Sequence, residues 1–185
     1  LHGTSLVSGV MTPILQVLED QNKNLSMANE LPVNIISNSF FTHFASIGVI
    51  GGVIAALIVA KSKQYREISK ISIVPYAFGV GEPALFGFPM MLNFTLIIPF
   101  IFTSAVTAII SYIGFAIGLV PITTGLVQLP WTTPILISGF LVTGSIRGLI
   151  LQLVCLVATT LIWIPFMKKS DKKVLEAENK TEESM

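Results

Sequence analysis

The chain has 185 residues, 52% of them hydrophobic and only 11% charged, where soluble domains carry about a quarter charged residues. That balance excludes an ordinary soluble protein, whereas the net charge of +1 says little about partners, and the placement of the charges matters more. Long apolar stretches point instead to several membrane-spanning helices, each needing about 20 residues to cross the hydrocarbon core.

In chain order, residues 1–18 (LHGTSLVSGVMTPILQVL) read as the later part of a helix whose start is missing, so the chain is expected to be a fragment. No charged n-region with a small-residue cleavage site precedes a first hydrophobic run, so no signal peptide is read. EDQNKNLSMANELP follows as an acidic outer connection. Residues 35–60 are long and apolar enough to span, with Gly48, Gly51 and Gly52 suited to close helix approach. The segment KSKQYREISK at 61–70 carries four basic residues against one acidic and is expected on the cytoplasmic side. Residues 94–120 and 148–167 read as two further spans, and the tail opens on Lys168, Lys169, Lys172 and Lys173, a second cytoplasmic signal. Beyond Val174 the mixed charge predicts a frayed or disordered end.

Two pieces resist this scheme. Residues 71–93 hold Pro75, Gly79, Gly81, Pro83, Gly87 and Pro89, and residues 121–147 hold Pro121, Gly125, Pro130, Pro134, Gly139 and Gly144. Irregular backbone at membrane depth is tolerated only against protein or a watery cavity. Paired broken segments mark a transporter's binding site. Both read as re-entrant hairpins, giving an all-α polytopic membrane protein with about four transmembrane helices plus two broken re-entrant hairpins.

Glu82, in GVGEPALFGFP, is the only charged residue between Lys70 and Arg147. An acid within an apolar segment is functional by default, because burying the charge costs about 2.5–3.5 kcal/mol even on insertion scales. A helix start after Pro83 supplies amides to hold the charge. Ion binding, proton relay and acceptance of a sugar hydroxyl all suit such a group; the plain alternative is a helix cap or an interfacial acid. Cys155 stands alone, which excludes a disulfide within the chain and reads as an inert apolar position. No metal or cofactor site, nucleotide loop or nucleophile–base pair is found.

The residues GVGEPALFGFPMMLN resemble the membrane permease, enzyme IIC, of the bacterial phosphoenolpyruvate-dependent sugar phosphotransferase system. Within it the resemblance is to the lactose/cellobiose/diacetylchitobiose family, where Asn-Glu-Pro precedes a similar FG-x-P-x-x-LN run. His2-Gly3, KSKQ at 61–64, LPWTTPILISGFLVTG at 129–144 and IPFMKKSDK at 164–172 agree in the same order. The resemblance implies that residues 1–167 are the C-terminal, sugar-binding half of a IIC domain and that 168–185 form a cytoplasmic charged tail. It implies a dimeric permease in a bacterial cytoplasmic membrane, with dimer contacts in the missing N-terminal half. Such a permease translocates a β-linked disaccharide and presents its 6-hydroxyl to a phosphocysteine on a separate IIB protein. Glu82 and His2 are implied to contact that hydroxyl, as catalytic and substrate-binding residues, and Trp131 to pack on the sugar. No cofactor and no nucleic acid is expected. Gly81 replaces the usual asparagine and Phe94 the common proline, which puts the sugar's identity in doubt.

The remaining candidates have plainer readings. His43 is assigned to helix packing or the interface, Trp163 to the aromatic belt, and Arg147 to snorkelling at the cytoplasmic interface. Trp131 taken alone reads equally as an interfacial anchor. The rival to the permease is an ion- or proton-coupled carrier with Glu82 as the coupling acid.

Overall fold

The computed structural model describes residues 3–90 and 92–183. Among them the regular structure is entirely helical: α1 (Gly3–Met27), α2 (Asn38–His43), a 3-10 turn (Ala45–Val49), α3 (Ile50–Val59), α4 (Lys63–Ala77), α5 (Glu82–Gly87), α6 (Phe94–Ala116), α7 (Ile137–Thr143) and α8 (Ile146–Glu183). Three stretches are long and apolar enough to cross a membrane: Asn38–Val59, Phe94–Ala116 and Ile146–Thr181.

The first of these is a broken rod. Ser37 caps α2 by accepting from the Phe40 amide, and the chain tightens into the 3-10 turn before α3 begins. Small residues let this irregular backbone lie directly on its neighbours. A Cβ on Gly48 would stand 2.6 Å from the Ser104 nitrogen of α6, and one on Gly51 would stand 2.8 Å from the Thr159 carbonyl carbon of α8. Gly52 meets the Trp163 ring in the same way, at 2.9 Å. The expected close approach at the three glycines is therefore present, against two different helices.

Trp163 corrects its assignment to an aromatic belt. It is fully buried, and its indole N–H donates to the Gly48 carbonyl at 3.1 Å, so the ring packs in the core. Val53, Phe88, Met90, Leu96 and Met167 join it in one apolar cluster. A second cluster gathers Phe40, Phe44, Phe115 and Leu151, with Phe115 edge-on to both other rings. Cys155 is buried beside Ser111, in keeping with its apolar reading.

α1 is longer than expected. Its first half is apolar and exposes Leu6, Val7, Val10 and Ile14, whereas the residues read as an acidic connection continue the helix to Met27. Two buried polar side chains explain the extension. Asn22 donates to the Asn34 and Thr123 carbonyls and accepts from the Val33 and Asn34 amides. Glu19 accepts from the Ser39 amide at 2.7 Å and its hydroxyl at 2.5 Å. Both chains that flank α1 are thus hung on its polar end.

The segment 61–70, expected as a basic loop, is largely the first part of α4, and the tail expected to fray is the last part of α8. One arrangement accounts for both. Asp171 accepts from the Lys61 and Ser62 amides and the Ser62 hydroxyl. Glu178, two turns on along the same face, accepts from the Lys63 and Gln64 amides at 3.0 and 2.9 Å. The orphan donors and positive dipole end of α4 are satisfied by carboxylates on the tail, and each helix orders the other.

Lys61, Lys168, Asp171 and Lys172 line one hollow, so the two basic signals fall at the same end of the molecule. Arg147 does not. With 1.5 Å of rise per residue, α8 carries it about 32 Å from Lys168, so it does not share the cytoplasmic interface that the lysines were read to mark. Its guanidinium instead donates to the Leu119 carbonyl, near the end of α6.

Candidate functional site

The two broken segments meet. In the first, α4 ends at Ala77 and Gly79 turns the chain at φ +82°, a conformation costly for any residue with a Cβ. In the second, residues 117–136 are irregular until α7 starts. The Ile135 amide donates to the Ala77 carbonyl at 3.1 Å, and a Cβ on Gly79 would lie 2.7 Å from the Trp131 carbonyl oxygen. Backbone packs on backbone here, and the glycine is what permits it.

Gln152 braces the second segment from α8. Fully buried, it accepts from the Leu136 and Gly139 amides and donates to the His43 carbonyl and the Ser138 hydroxyl. The side chain has both carboxamide ends engaged, so nothing is left unpaired in the core. Leu136 sits at φ +76°, a strained position for a bulky residue, and the bond to Gln152 holds it there.

Between these elements lies a cavity of about 310 Å³. Its walls come from α1 (Ser8 and Thr12), α2 (Asn38, Thr42 and His43), the end of α4 (Tyr76 and Gly79) and the second broken segment (Trp131 and Thr133). Hydroxyls, amides and aromatic faces in one concave space suit a polar ligand with apolar faces. Among the described residues there is no group of His, Cys, Asp and Glu able to hold a metal ion.

The structure treats the expected site residues differently. Trp131 lines the cavity and is 62% exposed, free to present its ring to a ligand. Glu82 opens α5 directly before Pro83 and is exposed rather than desolvated, and its carboxylate makes no hydrogen bond or ion pair with any described residue. It does not itself line the cavity, but stands beside it. Gly81 touches the ring of cavity residue Tyr76, and the Glu82 charge bears on that phenol. α4 lies outside the three long apolar stretches, and burial, followed by that charge, raises the Tyr76 phenol above its ordinary pKa and keeps it protonated. His2 lies outside the described residues.

His43 is buried, in keeping with the packing role among its readings, and it also lines the cavity. The signal was present as polar residues spaced through an apolar span: Asn38, Thr42 and Ser46 recur at helical spacing and all face this space. Ser8 and Thr12 repeat the pattern on α1. Tyr76 left no such mark, since a tyrosine before a glycine turn is unremarkable in sequence.

The family model for the phosphotransferase system EIIC matches residues 1–104. The chain belongs to this family. It is similar to the lichenan permease IIC component of Bacillus subtilis, 35% identical over 98% of the chain and 41% of that relative. It is likewise 41% identical to the cellobiose-specific EIIC component of Geobacillus stearothermophilus, over 94% of the chain and 40% of the relative. Among solved structures, it is similar to the transporter ChbC, the IIC component from the N,N'-diacetylchitobiose-specific phosphotransferase system. The TM-score is 0.89 at 38% identity, over 97% of this chain and 42% of that one. The chain therefore spans about two-fifths of the length of these EIIC relatives. The all-α polytopic membrane architecture expected from the apolar stretches agrees with this membership.

Proposed function

We propose that this EIIC chain forms the sugar-binding half of a permease for a β-linked disaccharide of the cellobiose, diacetylchitobiose and lactose class. The observation that carries the reading is the meeting of the Gly79 turn and the Trp131 segment at one cavity lined by hydroxyls and aromatic rings. Sugar rings have hydroxyl edges and apolar faces. The walls offer partners for both.

In this reading the sugar is carried across a bacterial cytoplasmic membrane, with the basic end at Lys61 and Lys168 facing inward. The 6-hydroxyl oxygen attacks the phosphorus of a phosphocysteine on a separate IIB protein. An O–P bond forms, the S–P bond breaks, and the hydroxyl proton leaves to Glu82 or to His2. Positioning is the main task of the permease in such a transfer. Glu82 orients the hydroxyl by accepting its hydrogen bond, and Trp131 stacks on a sugar face. An exposed, unpaired carboxylate at the start of α5 is available for that bond. The parts of the relatives that this chain does not span would provide the contacts of a homodimer.

The test is uptake of radiolabelled cellobiose and diacetylchitobiose by cells carrying the full-length parent, wild type and Glu82→Gln, with the internal product analysed for phosphate. Phosphorylated sugar that depends on Glu82 is the expected result. Unmodified sugar whose accumulation is driven by an ion gradient would overturn it in favour of a coupled carrier.

A further inference from the structure

Tyr76 occupies a position that the proposed roles of Glu82 and Trp131 leave unexplained. It sits in the last turn of α4 and lines the cavity together with Gly79 and Trp131. Its ring lies against the residue that precedes Glu82: a Cβ on Gly81 would stand 3.0 Å from Cε2 and Cζ and 3.1 Å from the hydroxyl oxygen. Such distances are tighter than ordinary packing, so a Cβ at residue 81 would push the Tyr76 ring aside by a few tenths of an ångström. Tyr76 is half-buried, and its hydroxyl makes no hydrogen bond with a described residue. By contrast, Tyr65 on the same helix bonds the Ser170 hydroxyl at 2.8 Å. The phenol that faces the cavity is the one left open.

We propose that Tyr76 is a specificity-determining residue of the sugar cavity, its hydroxyl bonding the sugar hydroxyl next to the one held by Glu82, and that Gly81 leaves the ring its present place. This rests on the sugar-permease reading above. In a hexose the hydroxyl closest to O6 along the ring, apart from the ring oxygen itself, is the one on C4. That carbon is where the terminal rings of cellobiose and lactose differ, one hydroxyl being equatorial and the other axial. A single fixed phenol beside Glu82 cannot satisfy both orientations equally. Tyr76 therefore sets the preference between glucosides and galactosides, where a hydrogen-bonding site discriminates better than an apolar wall.

The experiment measures binding of cellobiose and of lactose to the purified full-length parent, as wild type, Tyr76→Phe, Gly81→Ala and Glu82→Gln, with thermal unfolding recorded for each. Tyr76→Phe keeps the ring and removes only the hydroxyl. It is expected to weaken binding of the preferred sugar about tenfold and to bring the two affinities together, with unfolding unchanged. Gly81→Ala shifts the ring slightly and is expected to weaken the same sugar by less than Tyr76→Phe does. In a Tyr76→Ala background the Gly81→Ala effect should vanish, because the competing ring is gone. If Tyr76→Phe leaves the affinity ratio within twofold of wild type while Glu82→Gln abolishes binding, the role of Tyr76 is wrong and the sugar site stands. If the wild type binds neither sugar, both fall.

Discussion

The two ends of α4 use acidic side chains in opposite ways. At Lys63, Asp171 and Glu178 reach across from α8, and among them the amides of residues 61–64 and the Ser62 hydroxyl are satisfied. Beyond Ala77, Glu82 stands at the head of α5 with no described partner, although it too lies at a helix start. Glu19 belongs with the first kind, since it holds both polar groups of Ser39. A carboxylate that already accepts all the donors within reach is part of the frame, whereas one left open at a cavity's edge has its bonding capacity in reserve for a ligand.

Substitutions should separate the two kinds. The largest functional effect is expected from Glu82→Gln, a loss of about 100-fold or more in phosphorylated-sugar accumulation with the unfolding temperature of the full-length protein unchanged. If that variant also unfolds early, Glu82 belongs to the frame and the distinction fails. The largest stability effect is expected from Gln152→Leu, which strands two amides, a carbonyl and a hydroxyl, at a cost of about 3–5 kcal/mol seen in chemical denaturation. Asp171→Ala should cost less, about 1–3 kcal/mol, and should speed hydrogen exchange at the amides of Lys61 and Ser62. Smallest of all is Glu178→Ala, whose bonds are solvent-exposed. It should loosen the Lys63 and Gln64 amides in exchange measurements and shift stability by less than about 1 kcal/mol, with a salt dependence that the other variants lack.

What could be read from the residues followed the strength of the physical signal. Hydropathy located the three apolar stretches, and small residues at 48, 51 and 52 announced close packing, because lipid-sized apolar runs and glycine spacing are local properties. The glycines and prolines of 71–93 and 121–147 announced broken helices for the same reason. What failed depended on partners distant in sequence. The tail's mixed charge looked like solvated disorder, since nothing in KKVLEAENK shows that Glu178 meets an amide more than a hundred residues earlier. Trp163 sits near lysines in sequence and so resembles a belt residue, yet a carbonyl of the 3-10 turn draws it into the core. Arg147 was misplaced although the span read at 148–167 already sets it a membrane's thickness from Lys168. For the candidate site, the PWTTP motif pointed to Trp131, which lines the cavity, whereas Glu82 stands outside the lining. No motif pointed to Tyr76 and His43, because only the folded chain brings their elements to one wall.

The capping of α4 by α8 has a mechanical meaning. α4 is fastened at Lys63 and carries Tyr76 near its other end, roughly 20 Å away along the axis. That other end is fastened too, because the Ala77 carbonyl accepts from the Ile135 amide at 3.1 Å. The helix is thus a strut tied at both ends, which sets the place of the Tyr76 ring on the cavity wall.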